Sequence, residues 1–155
     1  RASAASDVYK RQVVALGKFF GILSLSPIYE SEAFGFNGPP FYNLVAIFDT
    51  SLDVRDVRMR IQDIETRQGR ETGKNRRGSR SIDLDILLYD NAIFYGQGLD
   101  VPRDEILKHA YILKPLADLL PEERHPVTGE SFSEIWRRLG AKQEAVSIVD
   151  DLHLN

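Results

Sequence analysis

Two aspartates one residue apart, Asp83 and Asp85, interrupt the apolar run Ile82-Asp83-Leu84-Asp85-Ile86-Leu87-Leu88. In an extended chain residues i and i+2 point to the same face. Their Cα atoms would then stand roughly 6.6 Å apart, at about 3.3 Å per residue. Adjacent carboxylates in a partly apolar setting repel each other and lose hydration, so something cationic must compensate. Hard divalent cations take oxygen ligands, and Mg2+ usually completes its shell with substrate phosphates and water. Such a pair also suits two cations about 3.5–4 Å apart. The plain alternative is a half-buried strand that turns two acids toward water, and a D-x-D pattern alone does not decide between them.

The preceding segment favours the cation. From Arg67 to Arg80 there are six cations (Arg67, Arg70, Lys74, Arg76, Arg77, Arg80) against one acid, Glu71. Guanidinium forks match phosphate oxygens bidentately. A cation cluster beside an acidic pair makes sense if a phosphate chain and its metals lie between them. Glu65, just upstream, either contacts the nucleotide or organises the arginines; its alternative is an ordinary solvated helix residue. No G-x-x-x-x-G-K-[ST] loop occurs, and no G-x-G-x-x-G follows a strand. With no cysteine and only His109, His125 and His153, no zinc pattern is present. No nucleophile elbow supports a Ser-His-Asp reading.

A second set is aromatic. Phe34 and Phe41 flank a Gly/Pro loop, and Asn43 follows closely. An aromatic pair stacks a flat heterocycle, and an Asn side chain offers it a donor and an acceptor together. Taken singly, either phenylalanine reads as core.

The elements that must carry these residues follow from periodicity. Arg1–Gln12 has no sustained apolar period and reads as a disordered or non-native extension of a single domain over 13–155. Val13, Leu16 and Phe19-Phe20 predict the end of an amphipathic helix that Gly21 stops. Ile22–Glu30 reads as a strand with an edge or bulge at Pro27, Ser31–Pro40 as a loop, and Tyr42–Thr50 as a second strand antiparallel to the first. Ser51 or Asp53 caps a helix whose stripe is Val54, Val57, Ile61 and Ile64, ending at Gly69. Ile82–Tyr89 is a further strand, central because its flanks are apolar. Asp104–Leu120 is helical with an interruption or new first turn at Pro115. Pro121–Glu130 is a polar loop, and Ser131–Leu139 a short helix with Phe132, Ile135, Trp136 and Leu139 inward. Ala145–Leu154 ends the chain as a strand. The expected class is α+β with a mainly antiparallel sheet.

Bulk properties exclude several roles. At 155 residues, 43% hydrophobic and 28% charged, the chain is an ordinary globular protein. A net charge of -3 is not that of a nucleic-acid coat. No apolar run approaches the roughly 18 residues that span a membrane. The absence of cysteine fits a reducing cytoplasm. The chain is expected to be cytoplasmic, without nucleic acid, membrane or an obligate protein partner.

An ordered series of segments carries a family resemblance. Ser26-Pro27-Ile28-Tyr29-Glu30-Ser31-Glu32 is followed by Phe41-Tyr42-Asn43-Leu44. Then come Glu65 with Gln68-Gly69-Arg70, Arg76, and Arg80-Ser81-Ile82-Asp83-Leu84-Asp85-Ile86-Leu87. Val101-Pro102 and Tyr111-Ile112-Leu113-Lys114-Pro115-Leu116 complete it. From about Val13 to about Leu139 the chain resembles the 6-hydroxymethyl-7,8-dihydropterin pyrophosphokinases. The resemblance implies transfer of pyrophosphate from Mg-ATP to a reduced pterin in folate biosynthesis, on a ferredoxin-like α+β fold. It implies that Asp83 and Asp85 hold two Mg2+ and, with Arg70 and Arg80, form the catalytic set. It implies ATP contacts from Glu65, Arg70, Arg76, Arg80, the Ile86 backbone, Arg103 and His109. Phe34, Phe41, Asn43 and Tyr111 would enclose the pterin. Loops Ser31–Pro40 and Glu71–Ser79 would close over both substrates and exclude water.

The sequence departs from that pattern in four places. The family opens with a strand ending in a Gly-Ser-Asn loop, where this chain has Arg1–Gln12. Arg77 stands where many members carry tryptophan, Arg103 where His often follows Val-Pro, and His109 where Arg usually precedes the aromatic. The last two keep basic character. Two other functions compete: a homologue lacking the first strand that binds nucleotide without turnover, and an RNA-binding module on a ferredoxin-like sheet, for which no RNP-like motif is found.

Overall fold

The computed structural model describes residues 4–31, 41–72, 83–140 and 146–148, with the backbone alone at 4–8, 70–72 and 146–148. The class is α+β: four α-helices, one 3-10 turn and short antiparallel strands among these residues. The chain divides into two compact units. Unit 1 comprises 1–23, 47–85 and 150–155; unit 2 comprises 24–46 and 86–149.

Unit 1 is built on two helices. α1 spans Ala4–Phe20. It therefore takes in Ala4–Gln12, a stretch expected to be disordered, and Gln12 is buried. The reason is tertiary: residues with no apolar period of their own continue a helix whose Leu16 is already in the core. Gly21 ends it as predicted. Its φ of 85° is left-handed, where a side chain is strained, and its N–H bonds to the Gly17 carbonyl at 2.9 Å. Phe20 stacks on Phe48 at 4.2 Å, whereas Phe19 stays partly exposed under the guanidinium groups of Arg60 and Arg67. α2 spans Val54–Thr72. Asp53 Oδ1 caps it by accepting the N–H groups of Arg55 and Asp56, at 2.9 and 3.0 Å. Val57, Ile61 and Ile64 are buried at the predicted helical spacing. Gly69 does not end α2, because a glycine only weakens a helix interior while the stripe before it holds the helix in place.

Unit 2 centres on β2 (Tyr29–Ser31), which lies between β3 (Phe41–Asn43) and β7 (Val146–Ile148), antiparallel to both. The predicted first strand breaks into β1 (Ser24–Leu25) and β2 on either side of Pro27, and the second into β3 and β4 (Ala46–Ile47). Ser26 bridges the break. Its N–H donates to the Val45 carbonyl, and its Oγ accepts the Val45 N–H, each at 2.9 Å. A hairpin not anticipated from sequence joins β5 (Phe94–Gly96) to β6 (Leu99–Val101). Gln97 and Gly98 both have positive φ, the backbone that a two-residue hairpin turn requires.

A 3-10 turn (Asp104–Leu107) precedes α3 (Ala110–Leu119), so the helical segment breaks at Lys108-His109 and not at Pro115. Pro115 sits inside α3 and is buried, its packing outweighing the lost ladder donor. α3 lies on the sheet face that carries Tyr29, whose hydroxyl donates to Asp118. α4 (Phe132–Leu139) begins with a capping box: Ser131 Oγ accepts the Glu134 N–H, and the Glu134 carboxylate accepts the Ser131 N–H. Phe132 and Ile135 are fully buried, while Trp136 and Leu139 are half-buried.

The polar loop before α4 hides His125. Its Nδ1 accepts the N–H groups of Val127 and Thr128, at 3.1 and 3.2 Å, so this nitrogen must be unprotonated. Burial pushes the His125 pKa down, and Glu130 pulls it partly back. A histidine whose folded pKa is depressed contributes stability above its unfolded pKa, about 6.5. That stability is lost as pH falls from there toward the folded pKa. Urea denaturation should therefore show stability declining between pH 7 and pH 5, with a smaller decline in His125→Asn. Equal declines in the two proteins would remove His125 from the account.

Candidate active site

The acidic segment belongs to unit 1. Asp83 and Asp85 are both exposed, and Leu84 and Ile86 are half-buried, so the alternation expected of an extended chain is kept. The strand itself is not. Residues 83–89 form no ladder among the described residues, which corrects the expectation of a buried central strand. Their backbone groups find other partners. The Leu84 N–H donates to Glu65 Oε2 at 2.7 Å, and in unit 2 the Leu87 carbonyl accepts the Arg103 N–H at 2.9 Å.

Glu65 thus grips the peptide between the two aspartates. It lies one residue after buried Ile64 on α2, so its carboxylate is half-buried where the helix turns from core toward solvent. Burial pushes its pKa up; the Leu84 N–H opposes this, and the fields of Asp83 and Asp85 add to the rise. Three carboxyl groups acting on one another make an anion excess that a divalent cation would relieve. Among the described residues no group of three or more donor side chains converges on one point. Two aspartates therefore suit Mg2+ only as partial ligands, with phosphate oxygens and water completing the shell. Arg70 lies in the last turn of α2, where the backbone alone is described, and Arg76, Arg80 and Phe34 lie outside the described residues.

The aromatic set belongs to unit 2. In the β2–β3 register Tyr29 faces Asn43 and Ser31 faces Phe41. Opposed residues share a face, and so do residues two apart, which puts all four on the α3 side of the sheet. Phe41 is 46% exposed, so part of its ring is open to solvent. Asn43 Oδ1 is buried and makes no hydrogen bond among the described residues. Tyr111 occupies the first turn of α3, and His109, just before that helix, stacks on it at 4.7 Å with 14° between planes. Arg103 Nε donates to Glu105. Ile86 also falls in unit 2 and is half-buried.

Ser31 was not singled out from the sequence as a site residue. It is 3% exposed, and its Oγ also makes no hydrogen bond among the described residues. Only the register reveals that it shares a face with Asn43; its one sequence signal is its place two residues after Tyr29. A buried polar atom without a partner costs about 1–3 kcal/mol. Ser31→Ala should then leave the ligand-free protein as stable, or more stable by up to about 1 kcal/mol, in thermal denaturation. A loss of stability would show the hydroxyl to be structural and not kept for a ligand.

Comparison with known proteins adds to this geometry. The family model for 7,8-dihydro-6-hydroxymethylpterin-pyrophosphokinase matches residues 3–121, a span that includes every residue discussed above for ATP, metal or pterin. A 2-amino-4-hydroxy-6-hydroxymethyldihydropteridine pyrophosphokinase of Aquifex aeolicus is 32% identical over 125 residues, which cover 80% of this chain and 78% of that protein. The enzyme of the same name from Pseudomonas aeruginosa is 40% identical over 106 residues, covering 68% and 65% respectively. The folic acid synthesis protein fol1 of Pneumocystis carinii is 35% identical over 119 residues; these are 76% of this chain and 16% of that much longer protein. With the family model matched over residues 3–121 of 155, and with Asp83, Asp85 and Asn43 inside the matched span, the chain belongs to the 7,8-dihydro-6-hydroxymethylpterin-pyrophosphokinase family.

Proposed function

We infer that this chain is an ATP-dependent diphosphotransferase that converts 6-hydroxymethyl-7,8-dihydropterin to its diphosphate, releasing AMP, in folate biosynthesis. The observation that carries this reading is the family match over residues 3–121. The geometry supports it from two sides: in unit 1 Glu65 lies in the field of Asp83 and Asp85, and unit 2 presents aromatic rings and an amide oxygen without a hydrogen bond among the described residues.

In this reading the pterin stacks on Phe41, Phe34 and Tyr111, and Asn43 Oδ1 accepts a ring N–H, with Ser31 Oγ in the same polar layer. The hydroxymethyl oxygen attacks the β-phosphorus of ATP in line and forms the new P–O bond. The bond from the β-phosphorus to the oxygen bridging to the α-phosphate breaks, its electron pair leaves with AMP, and the hydroxyl proton is released. Arg70, Arg76 and Arg80 absorb charge that grows on the transferring group, with Arg103 and His109 as further contacts and the Ile86 backbone on the nucleotide. Asp83 and Asp85 would hold Mg2+, two ions in this reading, which when bound neutralise phosphate charge. No side chain stands out as a general base; Asp85 is the candidate.

The α+β architecture fits a ferredoxin-like arrangement, supported by the antiparallel β3-β2-β7 sheet with α3 on one face. A cytoplasmic location fits a chain without cysteine, and no helix among the described residues is long and apolar enough to cross a membrane. ATP and the reduced pterin are the proposed partners. A second reading, nucleotide binding without turnover, is favoured by the missing ladder at residues 83–89 among those described.

AMP release with Mg-ATP and the pterin separates the two. The unmodified chain should release AMP in step with pterin diphosphate. Asp85→Ala should reduce turnover by at least about a thousandfold, with an unchanged circular dichroism spectrum. Full activity in that variant would refute the metal assignment, and ATP binding without AMP release by the unmodified chain would establish the second reading.

A further inference from the structure

We propose that Glu65 is a positioning residue for the aspartate pair: its carboxylate clamps the Leu84 N–H, and so sets where Asp83 and Asp85 present their oxygens to the metal. The inference rests on the metal-nucleotide reading above but assigns Glu65 a different task from a nucleotide contact.

Three observations converge on it. The Glu65 Oε2 to Leu84 N distance of 2.7 Å is that of a charge-assisted hydrogen bond. The peptide it holds joins Asp83 to Leu84, so the bond orients the plane next to Asp83 and one residue from Asp85, whose side chains share a face in an extended chain. Residues 83–89 have no ladder among the described residues, and there the Leu84 N–H is held by the Glu65 side chain. The base of the clamp is rigid, since Ile61 and Ile64 bury the adjacent face of α2. Placing a third carboxyl group in the field of two others is unfavourable, and burial compounds it. A solvated helix glutamate would turn outward and avoid both penalties. This one makes a bond to backbone instead, as groups that orient metal ligands commonly do.

The test compares Glu65→Ala, Glu65→Gln and Glu65→Asp. One readout needs neither metal nor nucleotide: exchange of the Leu84 amide hydrogen, followed by NMR in the free protein. The others are the Mg2+ concentration for half-maximal AMP release and the KM for ATP at saturating Mg2+. In Glu65→Ala, Leu84 exchange should quicken by about tenfold or more. The Mg2+ requirement should rise about 10–100-fold, while the KM for ATP stays within about twofold. Glu65→Gln keeps an acceptor of the same reach and should stay near the unmodified protein. Glu65→Asp is one methylene shorter and should behave like Ala. If Glu65→Ala does not fold, the Gln and Asp variants decide the matter. Unchanged Leu84 exchange in Glu65→Ala, or in Glu65→Asp where Ala is unfolded, overturns the proposal. So does a rise in the KM for ATP with no change in the Mg2+ requirement, which would make Glu65 a nucleotide contact. An inactive Asp85→Ala beside an unaffected Glu65→Ala sinks the clamp alone; a fully active Asp85→Ala sinks the metal reading beneath it.

Discussion

A backbone N–H withdrawn from water needs an acceptor, and at Leu84 the acceptor is a side chain and not a neighbouring strand. That bond is one fixed point of the acidic segment. Leu84 is tied to Glu65, Glu65 rides on α2, and α2 is set by its buried stripe and its Asp53 cap. The Leu84 peptide beside the aspartates is thereby anchored to a helix. The cost is a third, half-buried carboxyl group in an already acidic place: burial raises the Glu65 pKa most, and the two aspartates add to the rise. An anionic cluster of this kind is most favourable when a cation joins it.

Unit 2 obeys the same rule differently. β2 has a ladder on both sides, so its side chains are fixed in register and alternate strictly between faces. Tyr29 uses its hydroxyl to reach Asp118 on α3, and Lys114 approaches the other oxygen of that carboxylate at 2.9 Å. The Lys114 ammonium also lies 5.4 Å from the centre of the Trp136 ring, which carries the link on to α4. Against these contacts, Asn43 Oδ1 and Ser31 Oγ are buried without a hydrogen bond among the described residues. Buried polar atoms without partners are costly, and functional sites are where proteins keep them.

Much of this was legible from residue types. The stripe Val57, Ile61, Ile64, the stop at Gly21, the cap at Asp53 and the start of α4 at Ser131 are local signals, each acting through its own turn of backbone. The antiparallel pairing of β2 with β3 also followed from two β-prone runs. What failed was long-range. Arg1–Gln12 lacks apolar periodicity, yet most of it is helical because the helix behind it is anchored. Pro115 reads as a breaker but is held in α3 by packing. Ile82–Tyr89 has the composition of a central strand, yet its described part, 83–89, has no ladder among the described residues; a ladder needs a partner at the right distance, which composition cannot supply.

By itself the sequence determined the chemistry on offer: paired carboxylates, a run of guanidinium groups, aromatic rings and an amide, in an order that identifies the family. Those are properties of side chains and spacing, and they survive any uncertainty about pairing. Tertiary structure alone decided which of them are held and how. It showed Glu65 gripping the Leu84 amide, Ser31 on the face of Asn43, and His109 stacked on Tyr111. Hydrogen bonds and register join residues distant in sequence, and their existence depends on ångström-scale distances that no local pattern encodes.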